Sequence, residues 1–245
     1  MNSRPSKPTP APEAHSTTRL LQGSQLFADF PLDALNELAQ QTTIRLVGEK
    51  KTVFEKGAPG NEMFAILHGR VKVSVFSEDG REVIFAILES GDFCGETALL
   101  DGQPRSATCT ALEECRLVVI SRATFIPFLE KHASLAIHLL SLLSQRLRGA
   151  DVQMEDLTFF PLAPRLARKL VMLAEEHGDV SGSKISIDMN LSQNDLANMV
   201  AVSREAVNKQ LSIWVKEGLI TLAHRLIVIE NNERLHEIAK LSATK

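Results

Sequence analysis

Residues 91–111 read Gly-Asp-Phe-Cys-Gly-Glu-Thr-Ala-Leu-Leu-Asp-Gly-Gln-Pro-Arg-Ser-Ala-Thr-Cys-Thr-Ala, and the interpretation of the whole chain starts from this stretch. An apolar segment typical of a strand ends at Leu88, and Gly91 turns the chain. Gly95-Glu96 then begins a single helical turn, and Arg105-Ser106 leads back into small and β-branched residues that favour a strand. The pattern therefore predicts a short helix held between two strands.

This stretch carries residue types that bind an anion. The first residues of the short helix, from Gly95 to Ala98, present free backbone N–H groups and the positive end of a helix dipole. Arg105 can add a bidentate, charge-assisted pair, and Ser106 a hydroxyl. The Glu96 carboxylate only accepts hydrogen bonds, so it suits a sugar hydroxyl beside the phosphate. The combination predicts a site for a cyclic nucleotide, formed by Gly95, Glu96, Thr97, Ala98, Arg105 and Ser106.

The same residues carry a resemblance to a known motif. The run Phe93-Cys94-Gly95-Glu96-Thr97-Ala98-Leu99-Leu100, followed by Pro104-Arg105-Ser106-Ala107-Thr108, closely resembles the phosphate-binding cassette of cyclic-nucleotide-binding domains. The resemblance implies that Glu96 holds the ribose 2′-hydroxyl and that Arg105 holds the cyclic phosphate. The alternative is a structural helical turn with a surface salt bridge, which an isolated Gly-Glu plus Arg would favour.

Length and composition set the frame for this site. The chain has 245 residues, 44% of them apolar, which allows one large domain or two ordinary ones with buried cores. A net charge of −3 gives no hint of nucleic acid, so any DNA-binding function must be argued from local residues. Residues 1–18 are proline-rich and polar and are predicted to form a disordered tail. No apolar run is long enough to span a bilayer, and we expect a cytoplasmic protein without a membrane partner.

Residues 19–132 are predicted to form a β-roll or jelly roll with flanking helices. Short β-type segments are separated by glycine turns, as in a small all-β domain, at Thr52–Phe54, Met63–Leu67, Val71–Phe76, Val83–Leu88 and Cys115–Ile120. The glycine placement around Gly57, Gly69 and Gly80 also resembles that of cyclic-nucleotide-binding domains. Together with the helices that follow, this pattern predicts an α+β protein.

The cysteines and histidines show no metal-binding pattern. Cys94, Cys109 and Cys115 form no C-x-x-C pair, and the seven histidines share no spacing, so neither a metal nor a resident cofactor is expected. Reduced thiols packed as small apolar groups explain the cysteines. Because Cys94 lies inside the predicted cassette, a redox effect on ligand binding stays open.

Residues 133–160 are predicted to form one long helix that mediates homodimerisation. Apolar residues recur at alternating steps of three and four, a narrow heptad seam that requires a partner helix, at Leu140, Leu143, Leu147, Ala150, Met154 and Leu157. The same helix from a second copy is the simplest partner. The alternative is a helix packed only against its own β-roll.

Asp151 on this helix bears on the choice of nucleotide. The resemblance to cyclic-nucleotide-binding domains implies that this part of the helix contacts the purine, for which proteins with such a domain use polar residues such as a threonine and a serine, whereas this chain has Ala150 and Asp151. A carboxylate only accepts hydrogen bonds, so Asp151 could take the exocyclic amine of adenine, or the ring N–H and amine of guanine. Cyclic AMP and cyclic GMP are therefore both candidates, cyclic di-GMP is a further option, and a solvated helix position is the alternative.

Residues 161–245 are predicted to form a winged helix-turn-helix domain. Phe160-Pro161-Leu162-Ala163-Pro164 breaks the long helix, a helix spans Arg165 to His177 with Gly178 at its C-cap, and a turn follows at Asp179–Gly182. Ser192 and Ser203 can cap two helices, 193–200 and 204–216, joined at Ala201-Val202, and residues 221–229 favour a β-hairpin wing. The second helix begins with residues suited to base edges in a major groove, which makes the predicted DNA contacts Ser203, Arg204, Glu205 and Lys209.

The order of β-roll, long helix and winged helix-turn-helix resembles the Crp/Fnr family of bacterial transcription regulators. The resemblance implies a homodimer that binds a palindromic operator in double-stranded DNA, is controlled allosterically by a cyclic nucleotide and contacts RNA polymerase. A lysine at Lys209, where the family usually has arginine, leaves the half-site sequence open. The alternatives are a regulator that responds to another effector, to redox state or to no ligand, and, more distantly, a nucleotide-processing enzyme, for which the cassette lacks a second carboxylate or histidine.

Overall fold

A computed structural model describes residues 13–188, 191–223 and 226–241 of the chain. The chain divides into two compact units: the first combines Met1–Val73 with Ile87–Leu143, and the second combines Ser74–Ala86 with Ser144–Lys245. Strands dominate the first half of the sequence, and helices with a small sheet form the second. The predicted α+β class is confirmed.

The β-roll consists of two four-stranded sheets whose strands are ordered β1-β8-β3-β6 and β2-β7-β4-β5. The strands are β1 Thr43–Val47, β2 Thr52–Phe54, β3 Glu62–His68, β4 Val71–Phe76, β5 Glu82–Leu88, β6 Phe93–Cys94, β7 Thr108–Ala111 and β8 Cys115–Ser121. The helices around them are α1 Glu13–Gln22, α2 Leu32–Ala39, α3 Glu96–Asp101 and α4 Arg122–Lys131. The pairs β1–β8, β3–β8, β3–β6 and β2–β7 are antiparallel, as expected for a jelly roll.

Two apolar clusters hold the first unit together. One joins the helices to the outside of the roll and includes Phe27, Leu35, Val118, Phe125 and Leu139, all at most 3% exposed. The other fills the interior of the roll and includes the inward faces of β3, β6, β7 and β8. The interior cluster includes residues of β6 and β7, the strands directly before and after the cassette. The segment that contains the short helix α3 is therefore anchored at both ends by buried strands.

The long helix α5 is continuous from Ala133 to Phe159, one residue shorter than the predicted range 133–160. It begins in the first compact unit and ends in the second. Helix α6 (Leu162–His177) follows after Pro161, which takes the N-cap position and starts the helix three residues earlier than predicted. This is an ordinary place for proline, since the first helical N–H groups have no partner within the helix.

The second unit contains the helix-turn-helix and its wing. The remaining elements are β9 Gly178–Ser181, β10 Lys184–Asp188, α7 Gln193–Met199, α8 Arg204–Lys216, β11 Ile220–Ala223, β12 Leu226–Ile229 and α9 Asn232–Ala239. The four strands form an antiparallel sheet in the order β11-β12-β10-β9. Helix α6 packs against α9 and β10, and its buried face includes Leu166, Leu170 and Leu173. Both predicted serine caps are present, and Ser192 forms a complete capping box with Asp195.

Two details of the sequence interpretation were wrong. The tail predicted for residues 1–18 extends too far: residues 13–18 belong to α1, and Thr17 and Thr18 are about 95% buried, while residues 1–12 lie outside the described residues. The turn predicted at residues 179–182 is wrong, because residues up to Ser181 form strand β9. Gly178 is the C-cap of α6, as predicted, but its backbone is extended, and a Cβ there would collide with the carbonyl oxygen of Ala174, so close packing accounts for this glycine.

The turn between α7 and α8 stores backbone strain at Ala201. This residue has φ of +52°, in the left-handed region that side chains with a Cβ disfavour. The cost of that conformation is about 1–2 kcal/mol for a non-glycine residue. The tight turn is imposed from both sides, because α7 and α8 each bury an apolar face that includes Leu196, Val207 and Leu211.

We expect Ala201→Gly to stabilise the protein. Relief of about 1–2 kcal/mol of strain is partly offset by the greater freedom of glycine in the unfolded chain, about 0.4–1 kcal/mol, so the free energy of unfolding should rise by roughly 0.5–1 kcal/mol. Urea denaturation measures the change. The matched control is Ala206→Gly inside α8, which should lower the same quantity by about 1 kcal/mol. A loss of stability in Ala201→Gly would contradict the strain at the turn.

Candidate functional site: a phosphate-binding cassette and a DNA-recognition helix

Two glycines allow the close packing of the cassette, one within it and one in the roll that it packs against. Gly95, the N-cap of α3, has φ of +83°, and a Cβ there would lie 2.5 Å from Nη1 of Arg105. Gly60, in the turn before β3, faces α3 so closely that a Cβ would overlap the side chain of Ala98. Both positions therefore need glycine for the helix to sit this close to the roll.

Arg105 is the centre of the cassette and is only 5% exposed. Its Nη1 donates to the carbonyl oxygen of Gly95 at 2.8 Å and its Nη2 to that of Glu62 at 2.6 Å. The guanidinium lies over the ring of Phe54, with Cζ 4.3 Å from the ring centroid, and 5.8 Å from that of Phe64. Nε is buried and has no hydrogen-bond partner among the described residues. Burial lowers the pKa of Arg105, which nevertheless remains a cation at neutral pH.

The other predicted cassette residues surround this arginine in sequence and differ in exposure. Glu96 is 5% exposed, an unusual burial for a carboxylate, and its Oε1 accepts a hydrogen bond of 3.3 Å from the Thr97 hydroxyl. Ala98, on α3, is buried where the helix faces Gly60, whereas Thr97 and Ser106 are exposed. The structure thus brings two oppositely charged buried side chains into one loop, next to the backbone N–H groups at the start of α3.

Sequence reasoning missed the residues that hold Arg105. Phe54, Glu62 and Phe64 come from strands β2 and β3, and nothing in their local sequence marks them as neighbours of the cassette. The β2–β7 and β3–β6 registers place them there, since Phe54 pairs with Cys109 and Phe64 with Cys94.

Helix α5 exposes a row of large apolar side chains. Of the six residues predicted for its seam, Leu140, Leu147, Met154 and Leu157 are 63%, 65%, 66% and 40% exposed, and Ala150 is also exposed. Leu143 differs, because it is half-buried against the apolar cluster of the first unit. Asp151 is exposed on the same helix.

The start of helix α8 presents polar groups to solvent. Ser203 caps it by accepting a hydrogen bond of 3.2 Å from the backbone N–H of Ala206, and Arg204, Glu205 and Lys209 are exposed. A hydrogen bond from its own backbone N–H and then one from the Ser203 hydroxyl lower the pKa of Glu205, so it is a carboxylate that accepts hydrogen bonds. The predicted DNA contacts therefore lie together at the accessible N-terminal end of one helix.

The described residues contain neither a metal-ligand cluster nor a membrane-spanning helix. No group of three or more His, Cys, Asp or Glu side chains in the described part of the chain is arranged to hold a metal ion. None of the helices within that part combines the length and the apolar character needed to cross a membrane.

Comparison with known protein families identifies the same two domains that the sequence predicts. Residues 44–132 match the family model of the cyclic nucleotide-binding domain, and residues 164–238 match that of the Crp-like helix-turn-helix domain. The CRP-like cAMP-activated global transcriptional regulator of Mycobacterium tuberculosis (strain CDC 1551 / Oshkosh) is 32% identical over 189 residues, which cover 77% of this chain and 84% of that protein. The cyclic AMP receptor protein of Thermus thermophilus is 26% identical over 219 residues, 89% of this chain and 98% of that protein. The structure of a CooA mutant from Carboxydothermus hydrogenoformans aligns with a TM-score of 0.74 at 20% identity, covering 91% of this chain and 99% of that one.

Fold, motifs and matched domains define a DNA-binding transcription regulator with a cyclic-nucleotide-binding domain. The chain belongs to the Crp/Fnr family of transcription regulators. Because these relatives are transcription regulators and not enzymes, the prediction that this chain is a regulator and not a nucleotide-processing enzyme is confirmed.

Proposed function

We propose that this regulator is a homodimer whose affinity for a palindromic operator is controlled by a cyclic nucleotide bound at the cassette. Glu96 would accept a hydrogen bond from the ribose 2′-hydroxyl, and Arg105 would pair with the cyclic phosphate. Backbone N–H groups at the start of α3, from Gly95 to Ala98, and the hydroxyl of Ser106 would complete the phosphate site. No such ligand changes operator affinity unless it binds the DNA-competent arrangement more tightly than the other.

The buried Nε of Arg105 is the single observation that carries this proposal. A buried donor without a partner costs roughly 1–3 kcal/mol, so few native positions keep one without a ligand or water to satisfy it. Here the donor belongs to a cation and lies in the loop where a buried carboxylate is already present. A phosphate would give this donor an acceptor, and a sugar hydroxyl beside the phosphate could donate to the Glu96 carboxylate, so a cyclic nucleotide suits this loop.

Cyclic AMP is the first candidate effector, since two of the relatives are described by their response to it. Cyclic GMP is the second. Asp151 is exposed on α5, and a carboxylate can accept both the ring N–H and the exocyclic amine of guanine, whereas adenine offers it only the amine. The chemistry of this one side chain therefore separates the two nucleotides.

Calorimetric titration of the purified protein with cyclic AMP, cyclic GMP and cyclic di-GMP tests the effector. We expect saturable binding of a cyclic mononucleotide at one site per chain. Asp151→Ala should weaken cyclic GMP binding about tenfold more than it weakens cyclic AMP binding, because guanine loses one charged hydrogen bond more than adenine, worth roughly 1.5–3 kcal/mol. Absence of heat with all three ligands would contradict the effector and leave a DNA-binding regulator with another signal or none.

Operator recognition is proposed for Ser203, Arg204, Glu205 and Lys209. Arg204 would pair bidentately with guanine and Glu205 would accept from cytosine, while Lys209 would reach guanine or a phosphate. In a two-fold symmetric dimer the two α8 helices would read half-sites about one DNA turn apart, a geometry established for helix-turn-helix dimers. RNA polymerase is the further partner we propose, because transcription regulation is the activity of the relatives.

We expect Arg204→Ala to cost roughly 1–3 kcal/mol at the operator and to relax selectivity at one base pair. Competition binding to a randomised half-site library measures both effects. Arg234→Ala on α9 is the matched control, since Arg234 is also exposed but pairs with Glu237 at 2.7 Å outside the recognition helix. Equal weakening on all sequences would show that Arg204 contacts a phosphate and reads no base.

A further inference from the structure

Two buried cysteines flank the cassette. Cys94 ends strand β6 directly before Gly95, and Cys109 lies on β7, four residues after Arg105. Both are reduced thiols, 3% and 0% exposed, and their Sγ atoms are 3.9 Å apart. The chain between them, residues 95–108, contains every cassette residue assigned above.

The two thiols meet across the interior of the β-roll. Strand β6 belongs to one sheet and β7 to the other. Cys94 pairs with Phe64 and Cys109 with Phe54, and these two rings stack with centroids 5.8 Å apart. A bond between the sulfurs would therefore join the two sheets beside the rings over which Arg105 lies.

Arg105 gives both thiols a cationic neighbour. Burial lowers the pKa of Arg105. Negative charge on nearby groups opposes that change, and the largest such influence comes from Cys94, with Cys109 also contributing. Cys115 differs: its Sγ donates to the carbonyl oxygens of Arg70 and Glu113, both at 3.3 Å, and burial raises the pKa of its thiol.

We propose that Cys94 and Cys109 form a reversible disulfide that locks the cassette and weakens nucleotide binding. The oxidant is a hydroperoxide, small enough to reach buried sulfur. One thiolate takes an oxygen atom from the peroxide and becomes a sulfenic acid, releasing hydroxide. The second thiolate attacks that sulfur, the S–S bond forms and the S–O bond breaks. In total two thiols lose two electrons and two protons, and hydrogen peroxide becomes two waters.

The bond would deform the site because the sulfurs must approach from 3.9 Å to about 2.05 Å. That approach draws β6 towards β7 at both ends of the cassette. Gly95 cannot move freely to accommodate this approach. Its carbonyl oxygen accepts a hydrogen bond from Arg105, and Nη1 of Arg105 lies only 2.5 Å from the position that a Cβ on Gly95 would occupy. The regulatory half of this inference rests on the proposed function, whereas the disulfide itself does not.

Peptide mapping under non-reducing conditions tests the disulfide. After treatment with hydrogen peroxide and alkylation of remaining thiols in denaturant, we expect one cross-linked species, two hydrogens lighter than its two peptides. Trypsin leaves Cys94 on peptide 82–105 and both other cysteines on peptide 106–116, so the Cys115→Ala variant assigns the bond. Full alkylation of Cys94 and Cys109, a bond to Cys115, or sulfinic acid at Cys94 alone would overturn the proposal.

Binding measurements test the lock. We expect the oxidised wild type to bind cyclic AMP at least tenfold more weakly than the reduced protein, dithiothreitol to restore the affinity, and peroxide to leave the affinity of Cys109→Ala unchanged. By reciprocity, saturating cyclic AMP should raise by the same factor the tendency of the disulfide to be reduced in a thiol titration. Equal affinities of the two redox forms would overturn the lock. If the reduced protein binds no cyclic nucleotide, the proposed function fails with the lock, and peptide mapping still decides the disulfide.

Discussion

Replacing Arg105 with leucine is expected to abolish cyclic-nucleotide binding in a chain that still folds. The arginine is 95% buried, and a phosphate pairing with its guanidinium would form at least two charge-assisted hydrogen bonds of roughly 1.5–3 kcal/mol each. Loss of both amounts to about 3 kcal/mol or more, and every 1.4 kcal/mol is tenfold in affinity, so binding should fall by more than about 100-fold. Calorimetric titration with cyclic AMP and cyclic GMP measures the change.

The variant also removes a structural role, which the experiment must separate from ligand binding. The carbonyl oxygens of Gly95 and Glu62 lose their donor, which lowers the free energy of unfolding by roughly 1–3 kcal/mol for each oxygen that gains no water in its place. The leucine side chain can still pack on the ring of Phe54. Urea denaturation and circular dichroism report that cost. Arg45→Leu is the matched control: Arg45 also lies over the Phe64 ring, 5.0 Å from its centroid, but pairs with the Glu62 carboxylate outside the cassette. Unchanged affinity in a folded Arg105→Leu protein would remove Arg105 from the ligand site.

Local sequence signals predicted most elements because their causes are local. Strands Thr52–Phe54 and Val71–Phe76 and helix Arg204–Lys216 have the predicted bounds, set by glycine turns and by the Ser203 cap. Helix α9 was missed although Asn231 caps it, its side chain accepting a hydrogen bond from the backbone N–H of Arg234. Its segment is mostly polar, and its apolar residues Leu235 and Ile238 become a buried face where α9 packs against α6.

The cassette shows where local reasoning stops. The charged pair Glu96 and Arg105 was predicted from residue types and from the family resemblance, but what holds Arg105 in place was not. Glu62 lies 43 residues away in the sequence, and its carbonyl oxygen reaches Arg105 only through the antiparallel register of β3 and β6. Strand register over that separation depends on the whole sheet, which a single sequence does not display.

The seam of α5 shows a second limit. A heptad pattern states that a helix buries a stripe, but not against what. Leu143 fits the pattern, yet it packs against the apolar cluster of its own chain, together with the fully buried Leu135 and Leu139 near the start of the helix. Beyond it, Leu147, Met154 and Leu157 are exposed. The start of the apolar stripe therefore packs within the chain, and its remainder is an exposed surface that we propose binds the same helix of a second copy.

The double variant Leu147→Glu with Met154→Glu is expected to convert the dimer proposed above into a monomer. In a two-fold symmetric helix pair each substitution occurs twice, so four carboxylates would enter a seam made of apolar side chains. An unpaired charge buried in such a place costs roughly 3–5 kcal/mol, more than a typical helix pair can absorb. Sedimentation equilibrium should give the 27.0 kDa of one chain where the unaltered protein gives twice that mass.

The folded chain itself should tolerate these changes, because Leu147 and Met154 are 65% and 66% exposed and exposed substitutions usually alter stability by less than about 0.5 kcal/mol. Gln145→Glu with Val152→Glu is the matched control: the same charges, the same seven-residue spacing and the same helix, but about 160° away around the helix from the seam. It should remain a dimer. Each monomer presents only one α8 helix. The seam variant should therefore bind the full palindrome no more tightly than it binds a single half-site. A seam variant that keeps the dimer mass would place the interface elsewhere and leave the exposed row on α5 without its proposed partner.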